Sequence, residues 1–125
     1  MVTTANHVRW SDIPTEQLNP LLGRQFVSGS QGTIAHIHLL KGCLVPTHAH
    51  PNEQYSAVIS GSLRFTLDPD GKAESVTLGP GELLIIPPNV PHSAEALEDT
   101  LNLDVFTPIR EDWESGADAY LRSPQ

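Results

Sequence analysis

The sequence predicts an all-β domain, a jelly-roll barrel built as a double-stranded β-helix, and three observations carry that prediction. Eleven prolines and nine glycines punctuate the chain so that only strand-length runs remain between them. Inside those runs apolar residues alternate, as Leu63, Phe65 and Leu67 do against Arg64 and Thr66, the period of a strand with one buried face. Two runs bounded by glycine each deliver histidine beside a turn, which points both at one interior. At 125 residues the chain has room for one core and no second domain.

Residues 1–22 are polar and mixed, with turn signals at Ser11-Asp12-Ile13-Pro14 and Asn19-Pro20, and read as an irregular arm. Trp10, Ile13, Leu18 and Leu22 give it apolar points to pack on the domain or on a neighbouring subunit. The predicted organisation is an N-terminal arm over 1–23, a barrel over 24–110 and an acidic tail over 111–125, with one short helical turn near Trp113. Arg24 to Val27 is short and strand-like. Thr33 to Leu40 alternates, with His36 and His38 on one face. No ligand at fixed spacing follows these two histidines, so they read as exposed or substrate-facing rather than as a metal pair.

Lys41-Gly42 is a turn, and the lone Cys43 beside it reads as a small apolar filler rather than a nucleophile. From Leu44 through Ile59 the chain reads as one strand, closed by a turn at Gly61. Asp68-Pro69-Asp70-Gly71 is a hairpin turn with glycine at the left-handed position. Glu82 to Pro87 is an apolar strand. In the last strand Leu101, Leu103 and Val105 are expected to face the core, and Asn102, Asp104 and Phe106 to line a pocket.

Fifteen acidic residues against seven basic ones leave a net charge of −8, which excludes a nucleic-acid or anionic-membrane surface as the main partner. An anionic small molecule would need a local positive centre, a metal or an arginine. One cysteine forms no internal disulfide, and the opening residues lack an apolar signal core, so a cytoplasmic protein is expected. No run approaches the length of a membrane span.

The chemistry concentrates at His48 and His50. In an extended chain, side chains at i and i+2 share a face, and Gln54 has the same parity. Glu53 has the opposite parity and points away unless a bulge at Pro51-Asn52 reverses it. Alone, such a pair reads as polar residues on a solvated strand. His92, delivered by the turn after a second apolar strand, turns the reading toward a metal site.

The spacing Gly42-x5-His48-x-His50-x3-Gln54-x6-Gly61 resembles the first cupin motif, with Gln54 where glutamate is usual. Gly81-x5-Pro87-x-Asn89-x2-His92 resembles the second, with Asn89 where glycine is usual and Ala96 where a final asparagine is usual. Asparagine tolerates the left-handed conformation that this glycine position implies. Pro46 to Gln54, Asn89 to His92 and Leu97 to Trp113 are further similar to the small pectin-degradation cupins, over roughly residues 24–113.

That resemblance implies one divalent metal, nickel, zinc, iron or manganese, held by His48, His50, Gln54 and His92. It also implies an enzyme that converts 4,5-unsaturated monouronates to their linear keto form. Asp104 would transfer protons, Arg110 would pair with the substrate carboxylate, and Phe106 would wall the pocket. The expected partner is an anionic sugar acid, and the expected assembly a homodimer. A metal-dependent dioxygenase of a small aromatic or diol substrate is the alternative enzyme, against which an apparently sparse apolar lining counts. A non-catalytic sugar-binding sensor is the alternative without catalysis.

Overall fold

A computed structural model of the chain describes residues 5–122. The first four residues of the expected arm and the last three of the expected tail lie outside the described residues. Ten strands form two antiparallel sheets: β1 (Glu16–Asn19), β2 (Leu22–Ser28), β3 (Thr33–Leu39), β4 (Leu44–His48), β5 (Glu53–Ser60), β6 (Leu63–Leu67), β7 (Glu74–Leu78), β8 (Leu83–Ile86), β9 (His92–Ala96) and β10 (Thr100–Thr107). The larger sheet runs β1-β2-β3-β10-β5-β8 and the smaller β4-β9-β6-β7. Their facing sides enclose Leu22, Leu39, Val58, Leu63, Phe65, Leu78, Ile86 and Phe106, the two-layer arrangement of a jelly roll.

Turn chemistry sets this path. Gly61 has φ of +96°, and a Cβ there would stand 2.4 Å from the Asp99 carbonyl oxygen, so the β5–β6 turn admits only glycine. Asn89 has φ of 65°, the left-handed conformation expected at its motif position. The turn between β6 and β7 places Asp70 and Gly71 in the same region.

Three expectations are corrected. The arm is not irregular throughout, because Glu16–Asn19 pairs with β2 as an edge strand, Glu16 opposite Arg24 and Gln17 opposite Gly23. Its sequence lacks strong β formers; pairing with β2 supplies what local propensity does not. The run from Leu44 to Ile59 is two strands in different sheets, broken at the Pro51-Asn52 bend. In β10 the face of Asn102, Asp104 and Phe106 turns inward and lines the cavity as expected, but Leu101, Leu103 and Val105, expected in the core, are half-buried on the outside. The interior must house a polar site, so hydrophobicity alone misidentifies the inner face.

The C-terminal segment closes one end of the barrel. Helix α1 (Glu111–Ser115) and a turn of 3-10 helix (Ala119–Leu121) bury Trp113 and Leu121. Trp113 lies between two guanidiniums, 4.5 Å from that of Arg24 and 4.4 Å from that of Arg110, each within cation–π range. Arg24 is paired with the buried Asp118 at 2.8 Å. Asn19 donates to the Leu121 carbonyl at 3.0 Å, so β1 and this segment hold each other.

Candidate metal centre

His48 ends β4 and His92 begins β9, and the two are cross-strand partners. His50 follows in the bend, and Gln54 enters the interior from β5. The imidazoles therefore converge from two strand ends and a turn, not along one strand. Backbone bonds position them: the Asn89 N–H donates to the His50 carbonyl at 2.8 Å, tying one motif's turn to the other's. Asn52 is buried and donates to the carbonyls of Pro108 at 2.7 Å and Ile109 at 3.0 Å, which fastens the His50 bend to the segment carrying Arg110.

Ligand nitrogens of His48, His50 and His92 all lie within 4.8 Å of one another. Each imidazole has Nδ1 against a backbone carbonyl: Pro46 for His48 at 2.7 Å, Asn52 for His50 at 3.1 Å, Val90 for His92 at 2.9 Å. A carbonyl only accepts, so each Nδ1 carries the proton and each Nε2 of a neutral ring carries a lone pair. Burial pushes His48 and His50 down to about 4 and also lowers His92, with the nearby Arg110 charge adding to each shift. All three are neutral at pH 7, the form that binds metal.

The donor set fits a cation. His92 Nε2 is buried without a hydrogen-bond partner among the described residues. His50 Nε2 faces Gln54 Oε1 at 3.1 Å, two lone pairs with no proton between them. A cation relieves both. Gln54 is oriented by its own amide, which donates to Ser56 Oγ at 2.9 Å and to Asp104 Oδ1 at 3.4 Å.

Asp104 lies opposite Ser56 in the β10–β5 register, and its Oδ1 accepts from Ser56 at 2.5 Å and Asn102 at 2.8 Å. Burial drives its carboxyl up to about 6, against these bonds and the Arg110 charge. Arg110 is buried, donates to Asp112 through Nε at 2.9 Å and Nη2 at 2.7 Å, and covers the Phe106 ring at 4.6 Å. His48, Gln54, His92, Asp104, Phe106 and Arg110 line one cavity of about 60 Å³.

The rest of that cavity is largely apolar, with Leu18, Ile37, Leu39, Leu63 and Phe65 among its walls. This corrects the expectation of a sparse apolar lining, since a barrel's interior is also its core. Sequence reasoning missed Asn52, Ser56 and Tyr120. The first two share a turn or inward parity with recognised residues, a signal that was present; Tyr120 reaches the site only through the tertiary path of the tail. Glu53 turns outward and accepts from the Tyr55 hydroxyl. His36 lies on the outer sheet face under the Trp10 ring, centroids 3.7 Å apart, and His38 meets Gln25 at 3.0 Å, so neither belongs to the centre. Cys43 is fully buried, its thiol pushed up to about 11 by burial, which suits a filler.

Comparison with known proteins agrees with this architecture. The chain is 30% identical over 96 residues to 3-hydroxyanthranilate 3,4-dioxygenase of Burkholderia lata, which covers 77% of this chain and 55% of that protein. It thus spans about half the length of the curated relatives it matches. Among solved structures, KdgF from Halomonas sp. superposes with a TM-score of 0.77 at 24% identity, covering 88% of this chain and 99% of that one. An RmlC-like cupin from Shewanella frigidimarina gives 0.76 at 26% identity, covering 88% and 96%. Residues 35–107 match the family model of the cupin domain. The chain belongs to the cupin family.

Proposed function

We propose that this cupin is a metal-dependent enzyme that converts 4,5-unsaturated monouronates to the linear keto form. One observation carries the reading: a buried carboxyl poised near neutrality, Asp104, and a buried guanidinium, Arg110, line the same cavity as His48 and His92. The motif resemblance to pectin-degradation cupins supports it, as does a fold shared with KdgF over nearly that protein's whole length. His48, His50, Gln54 and His92 would hold one divalent ion. When bound, the ion supplies Lewis acidity toward carboxylate and hydroxyl oxygens.

The reaction is an internal rearrangement. A proton leaves the anomeric hydroxyl as the ring C–O bond breaks, and a proton reaches the former double-bond carbon, leaving an aldehyde and a ketone. Asp104, near 6, both accepts and returns a proton at ordinary pH. Arg110 pairs with the substrate carboxylate, and Phe106 fixes the guanidinium plane from below. The decisive measurement is loss of the conjugated double bond's ultraviolet absorbance when zinc-, nickel-, iron- or manganese-loaded protein meets unsaturated galacturonate.

A second reading, an iron-dependent dioxygenase, draws on the Burkholderia relative's name and on the apolar cavity walls. Oxygen consumption by iron-loaded protein with 3-hydroxyanthranilate, without turnover of any unsaturated uronate, would establish it instead. Absence of both reactions would favour a sensor. A homodimer completes the proposal: Leu83, Ile85, Tyr55 and Ile34 are exposed on the outer face of the large sheet, a largely apolar surface, with Glu53 at the Tyr55 hydroxyl, that a second copy can cover.

A further inference from the structure

Tyr120 touches the group that the proposed reaction assigns to the substrate carboxylate, Arg110, and one that it assigns to the metal, His48. Its hydroxyl accepts from Arg110 Nη2 at 2.6 Å, and its ring lies over His48, centroids 4.7 Å apart and planes tilted by 31°. The cavity beneath, about 60 Å³, is well short of the roughly 300 Å³ of the smallest typical ligand pockets. Chain on either side of Tyr120 is anchored. Asp118 is fully buried, paired with Arg24 at 2.8 Å and with Arg122 at 3.1 Å, and the Leu121 carbonyl accepts from Asn19. The smallest motion that opens the site is therefore rotation of the Tyr120 side chain alone.

We propose that Tyr120 holds the place of a small carboxylate on Arg110, and that such ligands bind by displacing its hydroxyl. The inference rests on Arg110 as the carboxylate-binding group. Its physics is an exchange of acceptors: Arg110 keeps its pair with Asp112 through Nε and Nη2, and in place of a neutral phenol oxygen a carboxylate brings a negative charge and a second acceptor oxygen to the guanidinium. A neutral sugar of the same size gains nothing by the exchange. Tyr120 thus selects for acids without contacting them.

The chain has two tyrosines, and Tyr55 lies on the outer sheet face, so fluorotyrosine labelling gives one reporter and one internal reference. Zinc-loaded, labelled protein is titrated with galacturonate and with galactose, and the ¹⁹F spectrum is followed, with Tyr120→Phe fixing the assignment. Galacturonate is expected to move the Tyr120 resonance toward its solvent-exposed position and leave Tyr55 in place, while galactose moves neither. By calorimetry, Tyr120→Phe is expected to bind galacturonate about tenfold more tightly, because the competing acceptor is gone. A Tyr120 resonance unmoved at saturation, unchanged or weaker binding by Tyr120→Phe, or no binding of galacturonate at all overturns the proposal. Galacturonate carries no double bond, so a Tyr120 response without uronate turnover defeats the proposed reaction alone, and turnover without a response defeats the exchange alone.

Discussion

His48 stands opposite His92 in the β4–β9 ladder, with ring centroids 4.3 Å apart. Pairing across a ladder fixes this distance by backbone geometry, so losing either ring leaves the other aimed at half a site. His92→Ala and His50→Ala are each expected to abolish stoichiometric metal in folded protein, read by elemental analysis. Full metal content in either variant would refute the ligand assignment.

Metal removal should be visible in stability. An ion at a thousandfold over its Kd stabilises the folded state by about 4 kcal/mol, and each kcal/mol moves Tm by roughly 3–5 °C for a chain of this size. Chelation is expected to lower Tm by about 10 °C or more, and added zinc to restore it. A Tm indifferent to both would count against the centre.

Asp104 should trade stability for activity. Its folded pKa, about 6, lies above the unfolded value, so between pH 4 and 6 the folded state holds a proton the unfolded chain has released, and stability falls as pH rises through that window. Above it the buried charge costs roughly 2–3 kcal/mol. Asp104→Asn is expected to raise the Tm of metal-free protein at pH 8, to leave it nearly unchanged at pH 4, and to cut kcat by about 10²–10⁴. Retained kcat would remove Asp104 from the chemistry.

Arg110→Lys keeps the charge but not the planar fork. KM for an unsaturated uronate is expected to rise more than tenfold while kcat changes within about threefold, since a carboxylate clamp acts alike in ground and transition states. A drop confined to kcat would contradict that role.

Asp118 tests the closure. Burial works against its charge, but bonds from Arg122 and Arg24 prevail and hold its carboxyl below the ordinary value. The stability it confers is therefore complete above the unfolded pKa and is lost as pH falls through the lower folded one. Asp118→Asn, which leaves the buried Arg24 only its longer contact with the half-exposed Glu16 at 3.3 Å, is expected to cost about 1.5–3 kcal/mol near neutrality, and much less in strong acid. A denaturant midpoint that did not move at pH 7 would show that the pair is not holding the tail.

The fold class and the histidines were legible because turns and ligand spacing are local properties. Gly61, Asn89 and His92 each do what their neighbours in sequence imply. In β10 the pocket-lining face was legible from parity, but not that it is also the inner face of the barrel, because Asp104 is held inside by Gln54 and Ser56, which are about fifty residues away in the chain. The split of β4 from β5 was signalled only by Pro51, and β1 only by a partner strand that its own residues do not announce. Arg110 was found through resemblance; that its guanidinium is already engaged by Asp112 and Tyr120 is a tertiary fact.

The division of the ligand set between sheets has a mechanical consequence. His48 and His92 belong to the four-stranded sheet and Gln54 to the six-stranded one, so a bound ion would act as a rivet through both layers. Parting the layers would then forfeit the ion, which makes separate breathing of either sheet as costly as joint unfolding. In hydrogen exchange, amides of β4 and β5 should open independently in the stripped protein and with a single shared free energy once the rivet is in place.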